Sequence, residues 1–136
     1  MIEFLDKKTI LAFHQDQIAS YGGSQGIRDE GLLESALPQP QASFGGEYVD
    51  EDLFEMAAAY GFHICQNHPF YDGNKRTALI AMYTFLFVNA YRLAAEKKSL
   101  FAIMIDLVNG KVEKKELAEY LEKHSSKRDV QVAQLE

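Results

Sequence analysis

Apolar residues recur along most of the chain at three- and four-residue spacings, which place them on one face of an α-helix. The first helix is predicted to begin after Asp6, as its N-cap, and to end at Gly22 and Gly23. Its inward face would consist of Ile10, Leu11, Phe13, His14 and Ile18. On this face, His14 is interpreted as a histidine at the edge of the core.

Five more helices are predicted from the same spacing and from the residues that break helices. They span about 29–37, 51–67, 75–89, 99–109 and 113–124. Pro38 and Pro40 end the second helix, and Pro69 ends the third because it disfavours helical geometry at the residue before it. Asp50 is the predicted N-cap of the third helix. The loop at 38–48 is the one place where a small hairpin is expected.

The fourth predicted helix contains the stretch TALIAMYTFLFVNAY, which carries no charge. The uncharged run between Arg76 and Arg92 is shorter than the ~18 residues of a membrane span, so no membrane association is predicted. A helix that is apolar on every side is normally encased by other helices. We therefore predict an all-α bundle of about six helices around this central helix. One domain would cover residues 1–125, followed by a flexible tail at 126–136.

Composition and charge exclude several classes of function. The chain has 136 residues, enough for one domain, and a formal net charge of −6. This charge argues against nucleic acid as a direct partner, because a phosphate backbone requires a basic surface. The single cysteine, Cys65, excludes an internal disulfide and is expected to be an inert side chain in a buried helix. No secretory signal is recognisable, and a cytoplasmic location is predicted.

The nine residues HPFYDGNKR, at 68–76, crowd polar groups against the start of the apolar helix. The first turn of a helix exposes unpaired N–H groups, and together with the helix dipole these form a site for anions. Gly73 permits a close approach to the backbone, while Lys75 and Arg76 add cationic donors. The pattern therefore indicates a phosphate-binding site.

Asp72 and His68 extend this prediction from binding to chemistry. Asp72 would repel a phosphate unless a divalent cation such as Mg²⁺ lay between them. The imidazole of His68 is suited to take a proton from a hydroxyl group near neutral pH. Phe70 is expected to point inward and to fix the loop to the core. Together these parts fit phosphoryl or nucleotidyl transfer, although Asp72 alone also fits an N-cap and 72–74 a simple turn.

The order of residues in this stretch resembles the signature of the Fic superfamily, H-P-F-x-[DE]-G-N-G-R, with Lys75 in place of the second glycine. The variant H-x-F-x-D-x-N-K-R resembles the death-on-curing (Doc) branch, the toxins of toxin–antitoxin modules. A second block, GIRDEGLLESAL at 26–37, resembles the N-terminal signature of that branch. The resemblance covers most of residues 1–125 and implies the Fic fold. Taken alone, the second block begins with a helix-capping cluster, or alternatively a structural salt bridge, formed by Arg28, Asp29 and Glu30.

The resemblance implies a role for each residue of the motif. His68 would be the general base for a hydroxyl of the target, Asp72 would bind Mg²⁺, and Phe70 would anchor the loop. The phosphates of ATP would be held by Gly73, Asn74, Lys75 and Arg76. The loop at 38–48 would form a flap that aligns the target segment, or else a plain linker with packed aromatic residues. Its candidate substrate contacts are Phe44 and Tyr48.

Lys75 bears on which group is transferred. The usual Fic enzyme transfers AMP to a hydroxyl side chain. A lysine fills part of the space that glycine leaves for the α-phosphate, so the nucleotide would bind with its terminal phosphate at the reactive position. The resemblance to the Doc branch accordingly implies a protein kinase that modifies a threonine of elongation factor Tu and arrests translation. Pro69 and Gly73 match the usual Fic pattern and keep AMP transfer as the alternative, beside a non-catalytic antitoxin-binding module.

The resemblance also implies a protein partner. Fic proteins often carry an inhibitory stretch, [ST]-x-x-x-E-[GN], which this sequence lacks, and Leu79 stands where an arginine that pairs with its acid is usual. Inhibition would then come from a separately encoded antitoxin. Such a partner would insert a helix or an extended tail into a groove of the bundle.

Overall fold

A computed structural model of the protein describes residues 2–44, 47–48 and 52–128, and this part of the chain is mainly helical. The predicted all-α bundle is confirmed. The six α-helices of the described part are α1 Lys7–Tyr21, α2 Glu30–Ala36, α3 Leu53–Asn67, α4 Asn74–Val88, α5 Lys97–Val108 and α6 Lys114–Lys123. Four short strands form two antiparallel ribbons, β1 Ser43–Phe44 with β2 Glu47–Tyr48 and β3 Tyr91–Leu93 with β4 Ser125–Lys127.

Polar side chains next to the helices fix where they begin. The Asp6 carboxylate accepts the N–H of Thr9 at 2.8 Å, as expected of the N-cap of α1. The prediction for α3 was wrong by two residues, because Asp52 is its N-cap and accepts the N–H of Phe54 at 2.6 Å. Asp50, the predicted cap, lies outside the described residues. At the other end, α3 stops at Asn67, as the following proline requires.

The core lies mainly between α3 and α4. On α3, eight residues are buried, among them the fully enclosed Tyr60 and Ile64. The prediction that α4 is encased on every side was wrong. Its outer face is half-buried at Leu79 and Tyr83 and exposed at Phe87. After Arg76, the sequence of α4 carries no charge on any side. It therefore did not show that α5 covers one side of this helix only in part.

Residues 91–93 and 125–127 form a ribbon that the sequence did not reveal. Tyr91 pairs with Lys127 and Leu93 with Ser125, so the start of the predicted flexible tail belongs to the folded unit. The N–H of Arg128 also donates to the carbonyl of Ala90 at 2.9 Å. Strands of three residues are too short for an alternating pattern to stand out from a loop. Positions 129–136 lie outside the described residues.

The loop after α2 contains the expected small hairpin, in which Ser43 pairs with Tyr48 and Phe44 with Glu47. The side chains of Phe44 and Tyr48 lie outside the described part, so their contact with a substrate stays a prediction. Among the described residues, no helix combines the length and the apolar character that are needed to cross a bilayer.

Two glycine-to-alanine changes test the packing of α3 on α4. Gly61 is fully enclosed, and a Cβ atom there would lie 2.9 Å from Cε and 3.0 Å from Cγ of Met82. We expect Gly61→Ala to lower the free energy of unfolding by about 1–3 kcal/mol through overpacking. Gly31, exposed on α2, is the matched control, where alanine should raise it by about 0.4–1 kcal/mol. Urea denaturation measures both, and an unchanged midpoint for Gly61→Ala would contradict this packing.

Candidate active site

A cavity of about 310 Å³ opens at the N-terminus of α4. All six polar or glycine residues that the sequence singled out line it, namely His68, Asp72, Gly73, Asn74, Lys75 and Arg76. The wall is completed by three residues that were not predicted to belong to a site, Cys65, Tyr71 and Val108. The volume is at the lower end of the range of ligand-binding pockets, roughly 300–1,000 Å³. The motif thus forms one concave site, whose remaining wall comes from α3 and α5.

The motif loop begins with an unusual turn at His68. This residue ends α3 in the left-handed conformation, with φ 49° and ψ 54°, and its side chain is exposed. Two residues later the chain enters the core, where Phe70 is fully buried. The Phe70 ring stacks on His14 with centroids 3.8 Å apart and an angle of 8° between the ring planes. The aromatic residue of the motif therefore fixes the loop while the flanking residues stay accessible.

Asn74 connects the loop to the imidazole. Its Oδ1 accepts the N–H of Phe70 at 3.0 Å, and its Nδ2 donates to the Phe70 carbonyl at 2.9 Å. These two bonds fix the orientation of the amide, whose Nδ2 also lies 3.0 Å from Nδ1 of His68. Nδ1 of His68 is therefore the acceptor, and the neutral ring carries its proton on Nε2. Nε2 therefore presents an N–H to its surroundings.

The Asn74 side chain has a structural role that the sequence did not predict, while its contact with a phosphate stays a prediction. The side chain is buried and bonded to the loop and to His68, so it orients these groups. The backbone N–H groups of the first turn of α4 remain as donors for an anion, because no helix satisfies them internally. Gly73, the N-cap, has φ 78°, a conformation that favours glycine. A Cβ atom at this position would approach Ile18 to 3.0 Å.

The Asp72 carboxylate is half-exposed and has the Arg76 guanidinium beside it, with 4.0 Å between Oδ1 and Nη2. Its side chain is 52% exposed, and its Oδ1 accepts the N–H of Gly73 at 2.8 Å. It is not the side-chain cap of α4, because the N-cap is Gly73. The Asp72 backbone is held from the other side, since Nε2 of His14 lies 2.7 Å from its carbonyl oxygen. His14 thus contributes to the site through Asp72 and Phe70, a contribution that its apolar helix face did not reveal.

The two cations of the motif differ in their surroundings. The Lys75 ammonium lies 5.2 Å from the centre of the Phe101 ring, in a cation–π contact. Arg76 donates from Nη1 to the carbonyl of Gln17 at 3.3 Å and from Nη2 to that of Gly22 at 3.0 Å. Its guanidinium thus binds two carbonyls near the C-terminal end of α1, that of Gln17 in the helix and that of Gly22, the C-cap. The predicted two-donor contact of Arg76 with a phosphate stays a prediction.

Cys65 lies in the wall of the cavity as an unreactive group. Burial raises the pKa of its thiol to about 12, an effect that the nearby Lys75 ammonium only partly offsets. The thiol is therefore protonated at neutral pH and is a poor nucleophile. Its predicted packing role agrees with these surroundings. The described residues contain no cluster of three or more histidine, cysteine or acidic side chains suited to a metal ion.

The second sequence block packs against the motif loop. The N–H groups of Arg28 and Asp29 both donate to the carbonyl of Pro69, at 2.6 and 3.0 Å. The capping interpretation was right for Asp29, which caps α2 by accepting the N–H of Leu32 at 2.9 Å. It was wrong for Arg28, whose side chain donates to the carbonyls of Asn67 and His68.

Comparison with known proteins agrees with this geometry. The family model described as Fic/DOC family matches residues 4–86, which include both sequence blocks. The chain is 40% identical over 96 residues to Toxin Doc of Mycolicibacterium smegmatis, covering 71% of this chain and 72% of that protein. It is 37% identical over 82 residues to Protein kinase doc of Escherichia phage P1, covering 60% of this chain and 64% of that protein. The chain therefore belongs to the Fic/Doc family.

Proposed function

We propose that this protein is the toxin of a toxin–antitoxin pair and transfers phosphate from ATP to a threonine or serine hydroxyl of a translation factor. The observation that carries the proposal is one cavity that joins the His68 imidazole, the Asp72 carboxylate and the cationic start of α4. The names of two relatives, a toxin and a protein kinase, support the same activity. Elongation factor Tu is the proposed target. Because the toxin must reach this factor in the cytoplasm, we propose a cytoplasmic location for the toxin as well.

The start of α4 suits the triphosphate of ATP with Mg²⁺. The N–H groups of the first turn and Lys75 supply positive charge, while Asp72 offers a half-exposed carboxylate for the cation. Mg²⁺ typically binds one or two carboxylates together with phosphate oxygens, which fits a site with a single acid. When bound, Mg²⁺ neutralises charge on the phosphates. A phosphate that bound Arg76 would compete with the carbonyls of Gln17 and Gly22.

His68 is the proposed general base. The target hydroxyl gives its proton to the imidazole as its oxygen bonds to phosphorus, and ADP leaves with the electrons of the broken P–O bond. Nε2 can take up a proton only in the tautomer that carries its hydrogen on Nδ1. In that tautomer the N–H of Nδ1 would face the N–H of Asn74 Nδ2, so no hydrogen bond could form between them. The base form at Nε2 therefore requires the hydrogen bond between His68 and Asn74 to open when the reactants bind.

An antitoxin supplied by a separate chain is the proposed regulator, since the sequence lacks the inhibitory stretch of other Fic proteins. AMP transfer is the second candidate activity, favoured by Pro69 and Gly73. The third is a binding module without chemistry, which would remain toxic when His68 is replaced. The net charge of −6 makes direct nucleic acid binding unsuited to this toxin.

Labelled ATP distinguishes these activities. Purified elongation factor Tu is incubated with the protein, Mg²⁺ and ATP that carries ³²P at either the γ or the α position. We expect label from the γ position only, and loss of roughly 10²–10⁴-fold in rate for His68→Ala, the usual contribution of a positioned base. Retention of α-label alone would establish AMP transfer. Growth arrest by the His68→Ala variant would instead support the binding module.

Lys75→Gly tests the proposed role of the lysine. Loss of a charge-assisted contact with phosphate should lower γ-phosphate transfer about 10- to 100-fold, and the space released should allow α-label to appear. Lys97→Ala is the control, because Lys97 lies in the neighbouring groove between α4 and α5 but not in the cavity wall. An unchanged ratio of γ- to α-label in Lys75→Gly would show that the lysine does not select the transferred group.

A further inference from the structure

The block at 26–29 is in contact with the motif loop, yet none of its side chains lines the cavity. We propose that Arg28 is a positioning residue that holds His68 in its left-handed conformation, and thereby sets the direction of the imidazole and, while the bond to Asn74 is closed, its resting tautomer. The consequence for catalysis rests on the proposed role of His68 as the general base. The structural part of the proposal is independent of the group that is transferred.

The guanidinium binds both peptide units that flank the Cα atom of His68. Nε of Arg28 donates to the His68 carbonyl at 2.7 Å, and Nη2 donates to the Asn67 carbonyl at 3.1 Å. The angle between those two peptide planes is set by φ and ψ of His68 alone. A planar group with donors in a fixed fork therefore restrains both angles at once. A lysine ammonium keeps the charge but lacks this geometry.

His68 needs such a restraint because its neighbours do not favour the turn. A residue with a side chain rarely adopts φ 49°, and a residue before a proline prefers the extended region. If it relaxed to the extended conformation, the imidazole would leave the amide of Asn74, which now lies 3.0 Å from Nδ1. A left-handed non-glycine residue persists only where its surroundings determine it.

Arg28 is itself fixed by the loop that it restrains. Its N–H donates to the Pro69 carbonyl at 2.6 Å, and Ile27 forms an isolated antiparallel bridge with Phe70. The N–H of Tyr71 donates back to the Gly26 carbonyl at 3.3 Å. At Gly26, φ is 111° and a Cβ atom would lie 3.4 Å from the Tyr71 ring, so this close approach favours glycine.

Arg28→Lys in the full chain tests the proposal, with Arg128→Lys as the matched control. Arg128 also donates from Nε to a carbonyl near the end of a helix, that of Phe87 at 2.7 Å, but it lies on the β3–β4 ribbon side of α4. Two-bond ¹H–¹⁵N spectra report the tautomer and the pKa of each of the four histidines. Single replacements by glutamine assign the signals. We expect the His68 signals to move towards the tautomer mixture of a free imidazole only in Arg28→Lys.

The second readout is turnover, measured with γ-labelled ATP and compared at equal folded fraction. We expect kcat to fall about tenfold or more, because the left-handed turn keeps the imidazole directed at the cavity after its bond to Asn74 opens, and a positioned base contributes roughly 10²–10⁴-fold. The KM for ATP should stay within about twofold, because Arg28 does not line the cavity at the start of α4. The catalytic role would be refuted by an unchanged kcat, or by a rise in KM at constant kcat.

The spectra decide the structural part by themselves. Unchanged His68 signals in Arg28→Lys, or equal changes in Arg128→Lys, would overturn the proposal. If the wild-type protein transferred no label at all, the proposed function would fail. The spectra would still show whether Arg28 orients His68, so the two failures are distinguishable.

Discussion

The site depends on one turn of the backbone, the left-handed conformation of His68 between α3 and the motif loop. With φ 49° this residue directs the chain back towards the start of α4, where the Asn74 amide lies 3.0 Å from its Nδ1. An extended residue at this point would send the chain in another direction and separate the imidazole from the helix N-terminus. The turn is unfavourable for its residue type and for its place before a proline, so tertiary contacts must hold it.

Those contacts make the loop rigid without closing the cavity. Phe70 is fully buried, stacks on His14, and has both its N–H and its carbonyl bonded to Asn74. The N–H and the carbonyl of Phe70 thus bind the first residue of α4, and its ring lies in the core. Asp72 remains half-exposed, and His68 is exposed. A buried aromatic residue within a polar motif thus separates the structural part of the loop from the part that lines the cavity.

The helices and six of the nine residues that line the cavity were predictable from the sequence, because both depend on local patterns. Periodic apolar residues, with capping and breaking residues at their ends, gave helix bounds within about two residues. The bonding of Asn74 and Arg76 was not predictable. Arg76 binds carbonyls of Gln17 and Gly22, more than fifty positions away, and sequence spacing does not reveal which distant groups take up a donor. The β3–β4 ribbon was missed for a related reason, since its pairing joins residues far apart in the chain.

The hydrogen bonds within the motif also explain why residue 75 can be exchanged more easily than its neighbours. His68, Asp72 and Asn74 each accept or donate hydrogen bonds that fix the loop, so replacing them disturbs its geometry. The ammonium of Lys75 has instead a cation–π contact with Phe101, on the surface of α5. A glycine or a lysine at this position is therefore compatible with the same turn, the same helix start and the same base. The identity of residue 75 thus alters the space and the charge in the cavity at the start of α4, where the proposed function places the phosphates, while the fold around it stays unchanged.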